Sequence, residues 1–343
     1  MVCSPCLRRS AVLAAVAPAI ARLGLRQHSL LSLLALPAER LLRAARVEDP
    51  GGFLRGLQLP ALTDRVPTAI CRHDRSYPLT LRQLPSAPAV LYGTCTPERL
   101  GELFSCSANP KVGIVGSRGL NPYAKQITFA LARDLARAGV TVVSGVNEGP
   151  EGIAHQGALD GGGATIAVMC CPPDLSHLTW QHHLQQRIRA RGTAISEFPP
   201  GFFGPQRWSF YASQRIIAAL ADVLVVVEAG GFTCASLTTK IATELGRDTA
   251  VVPGRVTDPG GHRMLWLLRD GAHPVANAED VLEVIHGAGA RGPGLHDPAM
   301  SGPALRELAD GAGVRGPTPL EVIHGAGARG PAMSGAALRG VAA

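Results

Sequence analysis

Residues 112–149 read VGIVGSRGLNPYAKQITFALARDLARAGVTVVSGVNEG. The opening VGIVG is an apolar, β-branched run with the pattern of a buried strand, and it breaks at the tight Gly116-Ser117-Arg118 turn. A helix is then expected, with Asn121 as N-cap, Pro122 at its first position, Ile127, Leu131 and Leu135 on one face, and Gly139 as its stop. VTVV follows as a second strand that ends at Ser144-Gly145. The stretch is one βαβ unit whose first turn aims backbone N–H groups and a guanidinium at the helix N-terminus, an arrangement suited to a phosphate.

Working outward, apolar runs recur at 112–116, 140–143, 165–169, 193–196, 223–228 and 249–253, each followed by residues with helical periodicity. This alternation specifies an α/β fold, a Rossmann-like, doubly wound, mostly parallel sheet covered on both faces. Ligands of such sheets lie beyond the carboxyl ends of the strands, so Gly116, Ser117 and Arg118 are expected to converge with Ser144, Gly145, Glu197 and Glu228. His155, on the helix after the second strand, reads more readily as a buried, hydrogen-bonded imidazole than as a catalytic base. Glu197 and Glu228 could orient a ribose or serve as acid and base, but strand-end carboxylates also cap helices, and no activated nucleophile accompanies them.

Three segments are expected: a small helical domain over 1–63, the α/β core over 64–285, and a low-complexity tail over 286–343. Arg8-Arg9 followed by AVLAAVAPAIA imitates a secretory leader, yet the apolar pattern continues at helical spacing and is too short to span a bilayer. Residues 64–108 read as a lead-in that covers one sheet edge, with a short strand from Ala89 to Tyr92. In the tail, LEVIHGAGARGP at 282–293 recurs at 320–331, in Gly/Ala/Pro/Arg sequence too poor in apolar residues to order itself. Its GAGARG matches a dinucleotide fingerprint, but Pro follows at once and no βαβ unit surrounds it, which excludes that reading.

The 343 residues carry 33 Lys+Arg against 26 Asp+Glu, a net charge of +7 that suits a polyanionic partner. All the cations but Lys111, Lys125 and Lys240 are arginine. Eight cysteines without an even framework point to a reducing cytosol. Cys3 and Cys6 form one CxxC, but no second CxxC or CxxH follows at finger-like spacing, so free thiols rather than a metal site are expected. His177, His182 and His183 lack a carboxylate or cysteine partner at ligand spacing.

The order HDRSYPLTL, APAVLYG, VGIVGSRGLNPYAKQ, the 140–169 stretch, AISEFPPG, RIIAALADVLVVVEAG, ELGRDTAVVPG and LLRDGAHPV resembles the DprA/Smf family of DNA-processing proteins, over about residues 64–285. The resemblance implies a cytoplasmic, dimeric single-stranded-DNA-binding protein that hands the strand to the RecA recombinase during natural transformation, without cofactor or enzymatic activity. Its phosphate-facing positions fall on Gly116, Ser117, Arg118, Ser144, Gly145, Gly149, Arg215 and Lys240, with His155, Glu197 and Glu228 lining the pocket. Trp180, Trp208, Phe210 and Phe232 offer stacking faces, or packing groups.

The chain departs from the family pattern at three places. Glu148 stands where a common Arg is found, Ser213-Gln214-Arg215 replaces Arg-Asn-Arg, and Phe232-Thr233-Cys234 replaces Arg-Ser-Gly. These changes imply weakened DNA binding. Two alternatives therefore stand beside the leading one. The first is a nucleotide hydrolase similar to the lysine-decarboxylase-like phosphoribohydrolases, through Ala229-Gly230-Gly231-Phe232-Thr233-Cys234; the second is a degenerate paralogue.

Overall fold

The computed structural model describes residues 2–25, 27–105, 109–117, 119, 121–147, 149–175, 181–202, 204–229, 234–258 and 260–288. By internal contacts the chain divides into Met1–Pro293 and Gly294–Ala343, and every described residue lies in the first unit. Four helices come first: α1 (Ser4–Arg22), α2 (Gln27–Leu34), α3 (Ala38–Ala44) and α4 (Pro50–Gly56). The lead-in supplies β1 (Thr68–Cys71), α5 (Leu79–Arg82), β2 (Val90–Gly93) and α6 (Pro97–Phe104). Alternation then sets in with β3 (Lys111–Gly116), α7 (Pro122–Arg137), β4 (Thr141–Gly145), α8 (Pro150–Asp160), β5 (Thr165–Val168), α9 (Gln181–Arg191) and β6 (Thr193–Ser196). It continues through α10 (Arg207–Leu220), β7 (Val223–Glu228), α11 (Cys234–Glu244), β8 (Asp248–Val251), α12 (Gly261–Arg269), β9 (His273–Pro274) and α13 (Ala278–Ala288).

Among the described residues nine strands form one sheet in the order β1-β2-β6-β5-β4-β3-β7-β8-β9. From β6 to β9 the pairing is parallel; β1 and β2 add an antiparallel edge. The α/β fold and its mostly parallel sheet are thus as the periodicity implied. The lead-in does more than cover an edge, because its two strands extend the sheet itself. Four-residue β1 and two-residue β9 are too short to carry a readable alternation. The last helix runs to Ala288, three residues into the predicted tail; the rest of that tail, with the second GAGARG, lies outside the described residues.

Side-chain alternation along each strand builds two cores. On β7, Leu224 and Val226 join Ile216, Ile217, Leu237 and Ile241 of α10 and α11 on one face. Val223, Val225 and Val227 join Ala124, Leu131, Leu135 and Ala154 of α7 and α8 on the other. The N-terminal helices form a third core with Phe198 and Phe202 of the β6–α10 connection and Trp208 in the first turn of α10. Among the described residues no helix is long and apolar enough to cross a membrane.

The consequence for function lies at β3 and β7, which are neighbours although α7 and α11, which follow them, pack on opposite faces. The connections diverge there, and in doubly wound sheets such a divergence marks the carboxyl ends of the two strands as the place of a ligand crevice.

Candidate nucleic-acid interface

Gly116 ends β3 beside Glu228, and its register with β7 is shifted by an irregularity between Val115 and Gly116. A Cβ at position 116 would stand 2.9 Å from Pro150 Cγ and 3.0 Å from the Glu228 carbonyl oxygen, so only glycine lets the strand end and α8 approach this closely. The Ser117 N–H donates to the Glu228 carbonyl at 2.7 Å, which spends that donor on the sheet rather than on a ligand. Arg118 lies outside the described residues, as does Glu148.

Asn121 caps α7 as its sequence predicts, its Oδ1 accepting from Ala124 N at 2.8 Å. Two carboxylates meet the same residue: Asn121 N donates to Glu228 Oε2 at 3.3 Å, and Asn121 Nδ2 donates to Asp258 Oδ2 at 3.2 Å. At the next turn Asn147 N donates to Glu151 Oε2 at 3.0 Å, with Glu151 buried. Both helix N-termini at which a phosphate was expected therefore already hold acidic side chains, which satisfy part of the same field. Asp258 and Glu151 were missed by sequence reasoning. Asp258 comes from a loop more than a hundred residues away in sequence, and Glu151 reaches back from the first turn of α8 to the Asn147 N–H.

The other predicted phosphate contacts differ in their surroundings. Ser144 is fully buried and its hydroxyl donates to Ile114 O at 2.6 Å, tying β4 to β3. Gly145 lies against Glu151, whose Oε2 would be 2.6 Å from a Cβ at that position. Gly149 precedes α8 with φ 120°, a conformation that favours glycine. Lys240 is exposed on α11.

Arg215 is the clearest correction. It is 1 % exposed, and its two terminal nitrogens donate to Glu197 Oε1 and Oε2 at 2.6 and 2.7 Å. Nε donates to Ser86 O at 2.9 Å, and Nη1 also meets Ala212 O. The guanidinium is thus used up inside the fold, joining α10 to the β6 end and to the lead-in. Glu197 does line a cavity of about 550 Å³, but one bounded by Arg8, Arg9, Arg40 and Arg72 of the N-terminal half rather than the β3/β7 crevice. His155 is likewise not pocket-lining: it is fully buried, with Nε2 2.8 Å from Gly145 O and Nδ1 2.6 Å from Thr165 Oγ1. Burial lowers its pKa to about 4, so the imidazole is neutral and Nε2 carries the proton that the carbonyl accepts.

Of the expected stacking groups, Trp208 packs edge-on against Phe198 and Phe202 in the third core, and Phe210 is half-buried. Trp180 and Phe232 lie outside the described residues, as does 230–233 of the hydrolase-like stretch. An aromatic face that the sequence did not single out is Tyr123, in the first turn of α7, 51 % exposed with its hydroxyl 3.4 Å from Pro253 O. Exposed Lys125, Arg207 and Arg255 also follow the carboxyl ends of parallel strands, in α7, α10 and the β8–α12 loop.

Comparison with known proteins follows the same outline. Residues 68–286 match the family model described as DNA recombination-mediator protein A. A putative DNA processing protein DprA of Mycobacterium tuberculosis is 38% identical over 199 residues, which cover 58% of this chain and 50% of that protein. The DNA processing protein DprA of Bacillus subtilis is 31% identical over 212 residues, 61% of this chain and 68% of the relative. The chain thus spans about half the length of its mycobacterial relative. Among solved structures, DprA from Streptococcus pneumoniae superposes with a TM-score of 0.59 at 26% identity, covering 76% of this chain and 93% of that one. DNA processing protein A from Helicobacter pylori, a structure described for its single-stranded DNA binding mode, gives 0.55 at 28% identity over 64% and 99%. The match over residues 68–286, spanning the whole sheet and its crevice, makes this chain a member of the DNA recombination-mediator protein A family, the DprA/Smf proteins.

Proposed function

We propose that this chain is a non-enzymatic, cytoplasmic single-stranded-DNA-binding mediator that acts as a homodimer and delivers the strand to the RecA recombinase, with the strand running along the carboxyl ends of the parallel strands. Family membership across the whole core carries this reading, supported by the DNA-binding description of the Helicobacter relative. Arg118, Lys125, Arg207, Lys240 and Arg255 would follow the backbone, and Tyr123 would take a base on its ring face. The test is anisotropy of a fluorescent oligonucleotide titrated with protein across a salt series. Arg118→Ala and Lys240→Ala are each expected to weaken binding and to flatten the log K against log salt slope by about 0.7, the value for one single-strand phosphate contact. Absence of binding at low salt would remove the proposal.

The carboxylates on the α7 N-terminus favour a second, weaker form of the same reading, in which the crevice has lost affinity. Glu228→Gln keeps an oxygen for the Asn121 N–H but removes a negative charge from the crevice. It is expected to tighten oligonucleotide binding about threefold to tenfold at low salt, with the gain shrinking as salt rises. Unchanged affinity would place the strand away from Glu228.

A further inference from the structure

The sequence offers one CxxC with no partner at finger-like spacing, yet folding supplies the partner. Cys3 precedes α1 with extended backbone, and Cys6 lies one turn in. Cys71 is the last residue of β1 and His73 follows in the turn that Asp74 N closes onto Cys71 O at 2.8 Å. The three sulfurs and one ring nitrogen of the His73 imidazole all lie within 4.8 Å of one another. His73 Nδ1 is 3.3 Å from both Cys3 Sγ and Cys6 Sγ, and the Cys3 and Cys71 sulfurs are 4.0 Å apart. Zinc bonds of about 2.3 Å to sulfur and 2.0 Å to nitrogen put neighbouring ligand atoms of a tetrahedron about 3.4–3.8 Å apart, close to these separations.

We propose that Cys3, Cys6, Cys71 and His73 bind one zinc ion in a closed, structural site that staples α1 to the β1–β2 edge of the sheet. The donor set of three thiolates and one imidazole fills all four positions of a tetrahedral ion and leaves none for substrate. Cys6 and Cys71 are 2% and 1% exposed, so the metal would be shielded on one side, while His73 reaches it from the surface. Cys3 and Cys6 stand at the N-terminus of α1, whose dipole acts against the burial that raises the Cys6 thiol, and Arg72 adds positive charge between Cys71 and His73. Binding releases the three thiol protons to solvent. One helical turn beyond Cys6, Ser10 Oγ and Tyr92 Oη meet at 2.9 Å, and Cys6, Val66, Cys71, Val90 and Tyr92 form a small apolar cluster. A metal here would anchor the end of an interface that this small cluster continues.

The test uses the full chain, purified under reducing conditions without a histidine tag. Elemental analysis is expected to find one zinc per chain. Cobalt(II) in its place should give thiolate charge-transfer bands in the near ultraviolet and the intense visible bands of a tetrahedral ion. His73→Ala should lose the metal and His73→Cys should keep it, a rescue that a thiol–imidazole hydrogen-bond cluster would not show. Chelation should lower the apparent Tm of the wild-type chain, and added zinc should restore it. The proposal is overturned if the folded wild-type chain holds no zinc and takes up cobalt(II) with only the pale spectrum of an octahedral ion. Recovery of these cysteines as a native disulfide would overturn it equally.

Discussion

Arg215→Ala is expected to lower the unfolding free energy by about 3–5 kcal/mol, because it leaves the buried Glu197 carboxylate without the guanidinium that neutralises it. Glu197 is 4% exposed and receives both terminal nitrogens of the guanidinium, so truncation removes a bidentate partner from a carboxylate that is almost wholly out of solvent. The loss also frees Ser86 O from its donor and loosens the junction of α10 with the lead-in. Urea denaturation followed by circular dichroism reads the effect directly. Combining Arg215→Met with Glu197→Leu should recover most of it, since the charge then leaves together with its partner and the volume is retained. That double variant also decides the assignment to DNA. A salt dependence of oligonucleotide binding equal to that of the wild-type chain is expected; a flatter one would mean that the buried pair opens to reach a phosphate.

The second large effect is a dependence of stability on pH through His155. In the folded chain its pKa is about 4, against an ordinary value of 6.5, because burial disfavours the imidazolium by more than the backbone hydrogen bonds at Gly145 and Ser144 favour it. The unfolded chain therefore binds the proton first. The stabilisation is fully present above pH 6.5 and is lost as pH falls from there toward 4, amounting to about 3 kcal/mol at the bottom of that window. Other groups titrate over the same range, so the measurement is a comparison. Wild-type and His155→Gln chains are unfolded in urea at about pH 7.5 and about pH 4, and the wild-type chain is expected to lose about 3 kcal/mol more than the variant. Equal losses would show that the folded imidazole accepts a proton without strain.

Part of the interface was legible from single residues. Asn121, Pro122 and Gly139 mark the ends of α7 through local backbone requirements, and each stands where the sequence put it. Gly116 was read as the residue of a close turn, and the space around it has no room for a Cβ. Arg215 was misplaced because family pattern identifies a position and not its exposure; the carboxylate that claims it is eighteen residues earlier in the chain. Ser144 failed for a similar reason, since its hydroxyl is used between two strands whose pairing no local motif reveals.

By itself, the sequence determined the α/β alternation, the parallel core and the turn at Gly116-Ser117, because period, β-branching, capping and glycine are short-range properties that each segment carries with it. Tertiary structure decided which charges meet. It paired Glu197 with Arg215, set Glu228 and Asp258 on the α7 N-terminus, and gathered Cys3 and Cys6 with Cys71 and His73. Each of these depends on distances of a few ångströms between segments far apart in the chain. Those distances are fixed only when the sheet and its covering helices close together.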